Sequence, residues 1–296
     1  MKKANPKAIF LKDYTPPVFN ITDVFLTFHL HPKETVVEAK LKIHIPKNKK
    51  KVPLILNGEE LKFIEASIDG KVLASDEYSV GPEHFTLHRP PNRPNKTFEL
   101  TLKNMINPQG NTALDGLYQT GNLFCTQNEP EGFRRITYFL DRPVVMARYT
   151  TKIIADKVAY PVLLSNGNPI SSGELSGGRH FVEWHDPFPK PCYLYALVAG
   201  DLGMIQDYFT TKSGRKIDLR IYCDKGVESR CSYAMKSLQE SMKWDEDTFG
   251  LEYDLDIYMI VAVDAFNMGA MENKGLNIFN SAFVLADPKN ATDDDF

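Results

Sequence analysis

The sequence has no His-Glu-x-x-His. None of its seven histidines (His29, His31, His44, His84, His88, His180 and His185) is followed by a glutamate and then, four positions on, by a second histidine. That spacing sets two imidazoles on one helix face around zinc, so no helix-borne zinc site is encoded here. His84 and His88 are four apart, but Phe85 follows the first and the flanking residues alternate as in a strand. Cysteine is scarce: Cys125, Cys192, Cys223 and Cys231 show no Cys-x-x-Cys spacing. This argues against a disulfide framework and implies free thiols in a reducing compartment, hence a cytoplasmic location. The longest apolar runs, near 257–262 and 193–199, fall far short of a membrane span. The basic N-terminus (MKKANPKAIF) lacks the apolar stretch of a secretory signal. Charge is nearly balanced, 35 basic against 38 acidic residues for a net −3, which argues against nucleic acid or an anionic membrane as partner. The basic run Lys47–Lys51 reads as a solvated turn between strands.

What is present suffices for two domains of ordinary size. Residues 1–200 read as mainly β. Val37, Ala39, Leu41, Ile43 and Ile45 alternate with polar residues, as do Phe98, Leu100 and Leu102, giving strands with one buried face. Asp69-Gly70 and Asn166-Gly167 are hairpin-turn signals. Prolines 90, 91 and 94, and again 187, 189 and 191, crowd presumptive strand ends. The expected architecture is an antiparallel β-sandwich or saddle-shaped sheet. Residues 201–296 read as the beginning of an α+β domain. It comprises a hairpin turning at Lys212–Arg215, then a helix with Val227, Cys231, Ala234, Met235, Leu238 and Met242 on one stripe. Strands are expected over Ile257–Val263 and Leu276–Leu285.

The segment Phe266-Asn267-Met268-Gly269-Ala270-Met271-Glu272-Asn273 follows the apolar strand directly. Gly269 and Ala270 leave the backbone open to pairing with an extended peptide. Glu272 would anchor an ammonium group, Met268 and Met271 would form adaptable apolar walls, and Asn273 would orient Glu272 or close a turn. An equally consistent reading of these letters places Gly269 at a bulge and leaves Glu272 facing water.

Longer runs decide between them. They are Cys125-Thr126-Gln127, EGFRRITYFLDRP (131–143), LSNGNP (164–169), DPFPKPCY (186–193), Met242–Glu246, FGLEYDLDIYMIVAVD (249–264) and FNMGAMENKGLNIFNS (266–281). Over nearly its whole length the chain resembles the N-terminal part of the aminopeptidase N family, zinc metallopeptidases of the gluzincin class. The resemblance implies a β-saddle domain followed by the start of a thermolysin-like catalytic domain. It also implies a peptide substrate with a free α-amino group, held by Glu272 and by Glu129. Gln127 would line the first side-chain pocket, Met268 would form its movable floor, and Gly269 and Ala270 would hold the substrate main chain. Two carboxylates on one ammonium make charge-assisted hydrogen bonds, and a blocked amine would leave both unpaired. Asn128 stands where some relatives carry a different small residue, and Gly-Ala rather than Gly-Gly disfavours the epoxide-hydrolysing branch.

The resemblance places zinc, its general base and an oxyanion-stabilising tyrosine in the full-length protein, beyond Phe296. The expectation is therefore that these 296 residues hold substrate-anchoring groups, bind no catalytic zinc and are inactive alone. A non-catalytic module that binds peptide N-termini is the rival reading.

Overall fold

The structure, a computed structural model, describes residues 8, 10–47, 52–287 and 289–295. Residues 48–51, most of the basic run read as a solvated turn, lie outside the described residues, as does the basic start, residues 1–7.

The alternating segments form the middle of an eight-stranded sheet. Its order is Asn168–Leu175, Arg179–Lys190, Ala147–Asp156, Asn20–His29, Thr35–His44, Thr97–Ile106, Lys62–Ile68 and Lys71–Val72. Val37, Ala39, Leu41 and Ile43 are fully buried, as the period of two requires. All neighbours are antiparallel except Asn20–His29 and Ala147–Asp156, which run parallel. The long stretch between those two strands makes the crossover possible, and local turn signals cannot reveal it. A three-stranded sheet (Leu54–Asn57, His84–Leu87, Tyr78–Val80) and a four-stranded sheet (Val162–Ser165, Leu197–Gly200, Leu123–Gln127, Gly116–Thr120) complete this β-rich part.

Two of the local signals act differently from expectation. Asp69-Gly70 does turn a hairpin, with both residues at positive φ. Asn166-Gly167 does not. Val162–Ser165 pairs with Leu197–Gly200, whereas Asn168–Leu175 pairs with Arg179–Lys190, so this turn carries the chain from one sheet to another. A Cβ on Gly167 would lie 2.2 Å from the His185 carbonyl oxygen, which is why glycine stands there. Pro187 and Pro189 lie inside the strand Arg179–Lys190 rather than at its end. The pairing jumps from Tyr149 opposite Asp186 to Ala147 opposite Lys190, so the prolines occupy a bulge where no ladder donor is required.

The second part is a five-stranded sheet ordered Gly203–Thr210, Lys216–Cys223, Ile257–Val263, Leu276–Asn280 and Ala270–Met271, with the helix Ser232–Phe249 against one face. The apolar strand 257–263 is buried on both sides. Ile260 and Ala262 pack with the helix residues Met235, Leu238 and Met242, while Met259, Val261 and Val263 join the core of the β-rich part. Gly250 ends the helix in a left-handed conformation and donates its N–H to the Glu246 carbonyl. The last strand is shorter than its apolar letters suggest. Asn280 accepts the Ala282 N–H and starts a 3-10 turn over Ser281–Phe283.

Candidate functional site

The Gln127–Glu129 loop leaves an inner strand of the four-stranded sheet, where Gln127 pairs with Gly116. Thr126 fastens that strand from behind: its hydroxyl accepts the Leu197 N–H at 2.9 Å. The loop folds tightly over Gly132, whose N–H donates to the Asn128 carbonyl at 3.0 Å, and a Cβ there would meet the Gln127 carbonyl oxygen at 2.5 Å. Beneath it lies an aromatic cluster. Phe133 stands edge-on to Phe139, Tyr195 and Tyr149, with ring centroids 4.9, 5.4 and 6.2 Å away. Gln127 and Asn128 are buried, and Glu129 is half-buried.

The segment after Val263 crosses to the rim of the five-stranded sheet. Ala270–Met271 is an edge strand, paired with Phe279 and Ile278, and the ladder continues where Asn280 donates to the Gly269 carbonyl. Its other edge carries no strand among the described residues, so an extended peptide could add there. Alternation separates the two methionine-flanked positions. Met268, Gly269 and Ala270 are exposed, whereas Met271 is fully buried in the core, so its side chain is not an outward apolar wall.

Cross-links hold this segment to the β-rich part. The Tyr118 hydroxyl donates to the Ala265 carbonyl at 3.1 Å, and Asn267 Nδ2 to the Leu114 carbonyl at 3.5 Å. Burial raises the Tyr118 pKa far above the ordinary phenol range, which keeps it a neutral donor. The most consequential link is at Tyr195. Its carbonyl accepts Asn128 Nδ2 at 2.7 Å and Asn273 Nδ2 at 3.3 Å. Asn273 does close a turn, through its own carbonyl, which accepts from Leu276 N and from Asn277 Nδ2. One backbone oxygen therefore joins the residue before Glu129 to the residue... before which stands Glu272.

The chemistry around this oxygen is short of donors. Neither the Glu129 nor the Glu272 carboxylate makes an ion pair or hydrogen bond among the described residues. Nearby acids differ: Glu131 and Asp141 are paired with Arg134, and Glu60 with Arg135. The side-chain oxygens of Gln127, Asn128 and Asn273 are buried and also accept nothing. Such a constellation suits a ligand that donates several hydrogen bonds and carries positive charge. The sequence suggested a hairpin turn at Asn166-Gly167 and assigned Asn128 no contact, whereas Asn128 bonds to the Tyr195 carbonyl. The contribution of the Tyr195 backbone has no side-chain signature at all. Among the described residues no group of three or more His, Cys, Asp or Glu side chains is placed to hold a metal ion.

Comparison with known proteins places the chain in a family. The Peptidase M1 N-terminal domain model matches residues 14–194, and the Peptidase family M1 domain model matches residues 233–296. The chain is 56% identical over 290 residues to Aminopeptidase N of Haemophilus influenzae, covering 98% of this chain and 33% of that protein. To Aminopeptidase N of Escherichia coli it is 55% identical over 291 residues, again 98% and 33%. A crystal structure of Legionella pneumophila aminopeptidase A in complex with aspartic acid superposes with a TM-score of 0.91 at 36% identity, covering 96% of this chain and 33% of that one. The chain thus spans about a third of the length of these relatives. On a family model that matches more than half of its residues and on these identities, the chain belongs to the M1 peptidase family.

Proposed function

We propose that this chain is the amine-anchoring part of a zinc aminopeptidase that removes N-terminal residues from peptides. Glu129 and Glu272 bind the substrate's α-ammonium group. Gln127 and Met268 border the first side-chain pocket, and Gly269 and Ala270 pair with the substrate backbone. In the same reading residues 1–200 are the β-domain, and 201–296 begin the thermolysin-like domain. The zinc and the groups that act on its water lie outside the described residues, and the chain alone is inactive. The four cysteines, buried and unbridged, support a reducing, cytoplasmic setting.

The observation that carries this reading is the shared Tyr195 carbonyl, which ties together two loops whose carboxylates both lack partners. A free ammonium group supplies three donors and a positive charge. An acetylated amine supplies one donor and no charge, and would leave carboxylates desolvated without compensation. Titrating the chain with L-leucinamide and with N-acetyl-L-leucinamide, followed by NMR shifts, tests the anchor. Preference for the free amine, lost in Glu129→Gln and Glu272→Gln, is expected; equal binding would overturn it. For the inactivity, chain supplied with zinc and assayed on alanyl or leucyl amides should show no turnover, and clear turnover refutes it.

A further inference from the structure

We infer that Asn166 and Asn128 are positioning residues that set the spacing of the two amine-anchoring carboxylates, using the segment Leu194–Ala196 as a common strut. The inference rests on the amine-anchor reading above and names residues that act behind it.

Asn166 is buried between the two parts of the molecule, with its side chain fully engaged. Nδ2 donates to the Leu194 carbonyl at 3.0 Å and to the Lys274 carbonyl at 2.8 Å, while Oδ1 accepts the Ala196 N–H at 2.7 Å. A single amide thus grips the strut at both ends and also holds the backbone two residues beyond Glu272. The strut's middle carbonyl, that of Tyr195, holds Asn128, the residue before Glu129. The strut itself is braced from below by the Tyr195 ring against Phe133 and Tyr149. Beside the direct Tyr195–Asn273 contact at 3.3 Å, a second path from Glu129 to Glu272 runs through Asn128, residues 194–196 and Asn166, and every polar link in it is 3.0 Å or shorter. Glu272 itself sits exposed beside a two-residue edge strand, so its own strand constrains it weakly. Holding Lys274 from behind is what fixes its backbone relative to the other loop. An alanine at either asparagine removes the grip without changing charge, and the carboxylates then lose their common geometry.

The test is the free-amine preference of the 296-residue chain, read as the ratio of affinities for L-leucinamide and N-acetyl-L-leucinamide. Asn166→Ala and Asn128→Ala should each cut that ratio about tenfold. The double variant should lose little more than the more damaging single variant, because both act through one strut. Thr35→Ala serves as control. Thr35 is equally buried, and its hydroxyl donates to the His31 carbonyl at 2.7 Å and accepts the His31 N–H at 3.0 Å, remote in sequence from both loops, so the change should lower stability yet keep the ratio. Folded Asn166 and Asn128 variants that keep the wild-type ratio, or that lose it only as Thr35→Ala does, overturn the inference. Should the variants fail to fold, the wild-type side-chain amide signals decide. Both Asn128 and Asn166 should shift on saturation with L-leucinamide and stay put with the acetylated probe; signals unmoved by either probe overturn the inference. A wild-type chain without any free-amine preference refutes the anchor itself, whereas intact preference in the variants refutes only the strut.

Discussion

The two loops that present Glu129 and Glu272 are built in opposite ways. The first is an outgrowth of the core: Gln127 and Asn128 are buried, Gly132 closes the fold behind them, and aromatic rings fill the space below. The second is a rim: Met268 to Ala270 are exposed where the chain enters the two-residue strand Ala270–Met271, which is paired on one side. One half of the anchor is fixed by packing and the other by a few hydrogen bonds reaching across from the β-rich part. Hydrophobic packing resists displacement in every direction, whereas a handful of hydrogen bonds at a rim opens at small cost. A site made this way has one rigid wall and one that can yield to side chains of different shape.

The contrast can be broken most severely at the rigid wall. Phe133→Ala should cost about 3–5 kcal/mol, because it empties the centre of the aromatic cluster; urea unfolding reads it, and a loss under 1 kcal/mol would show the wall to be softer than its packing implies. Lys190→Met is next. Lys190 and Asp186 form a buried ion pair at 2.9 Å, and the lysine also lies over the Tyr149 ring at 4.1 Å. Removing the lysine strands the Asp186 charge and should cost roughly 3 kcal/mol. The pair also leaves a pH signature. Burial pulls the Lys190 pKa down to about 8, with Asp186 opposing the shift. Between pH 8 and the ordinary lysine range the unfolded chain binds more protons, so the Lys190 contribution to stability rises with pH across that window. The stability difference between wild type and Lys190→Met should therefore grow from pH 8 to 10; a difference that shrinks contradicts the assignment.

Between the walls, Asn166→Ala should cost about 1–3 kcal/mol, since it leaves the buried Ala196 N–H without its acceptor and the Leu194 and Lys274 carbonyls without their donor. Hydrogen exchange should then quicken at Asn273–Leu276 more than at Phe124–Gln127; equal quickening would erase the distinction between wall and rim. The smallest stability effects belong to the rim. Glu272→Gln and Met268→Ala should each stay within about 0.5 kcal/mol of wild type, because neither side chain is fastened. Their effects fall on binding: Glu272→Gln removes free-amine preference, and Met268→Ala weakens apolar terminal residues relative to glycinamide. A melting temperature clearly lowered by either change would mean that the rim carries structural weight.

Much of this was legible in the letters. Alternation located the central strands, the helical stripe located Ser232–Phe249, and the runs shared with the family named both glutamates. What was not legible has a common cause. Asn166-Gly167 has the composition of a hairpin turn, yet its flanking strands choose partners in different sheets, the one before it pairing with residues more than 30 positions away. Pro187 and Pro189 look like strand ends until the bulge opposite Arg148 absorbs them. Met271 shares its letter with Met268, but the pleat turns one inward and leaves the other exposed.

The sequence by itself determined which residues are apolar in strand or helix rhythm and which family the chain resembles, and through that resemblance it pointed to Glu129 and Glu272. Those properties are local, carried by side-chain type and spacing. Only the tertiary structure decided that Asn128 and Asn273, the neighbours of Glu129 and Glu272, share one partner, the backbone carbonyl of Tyr195. Every residue carries the same carbonyl, so its use is written in the packing of sheets against one another and in no letter of the chain.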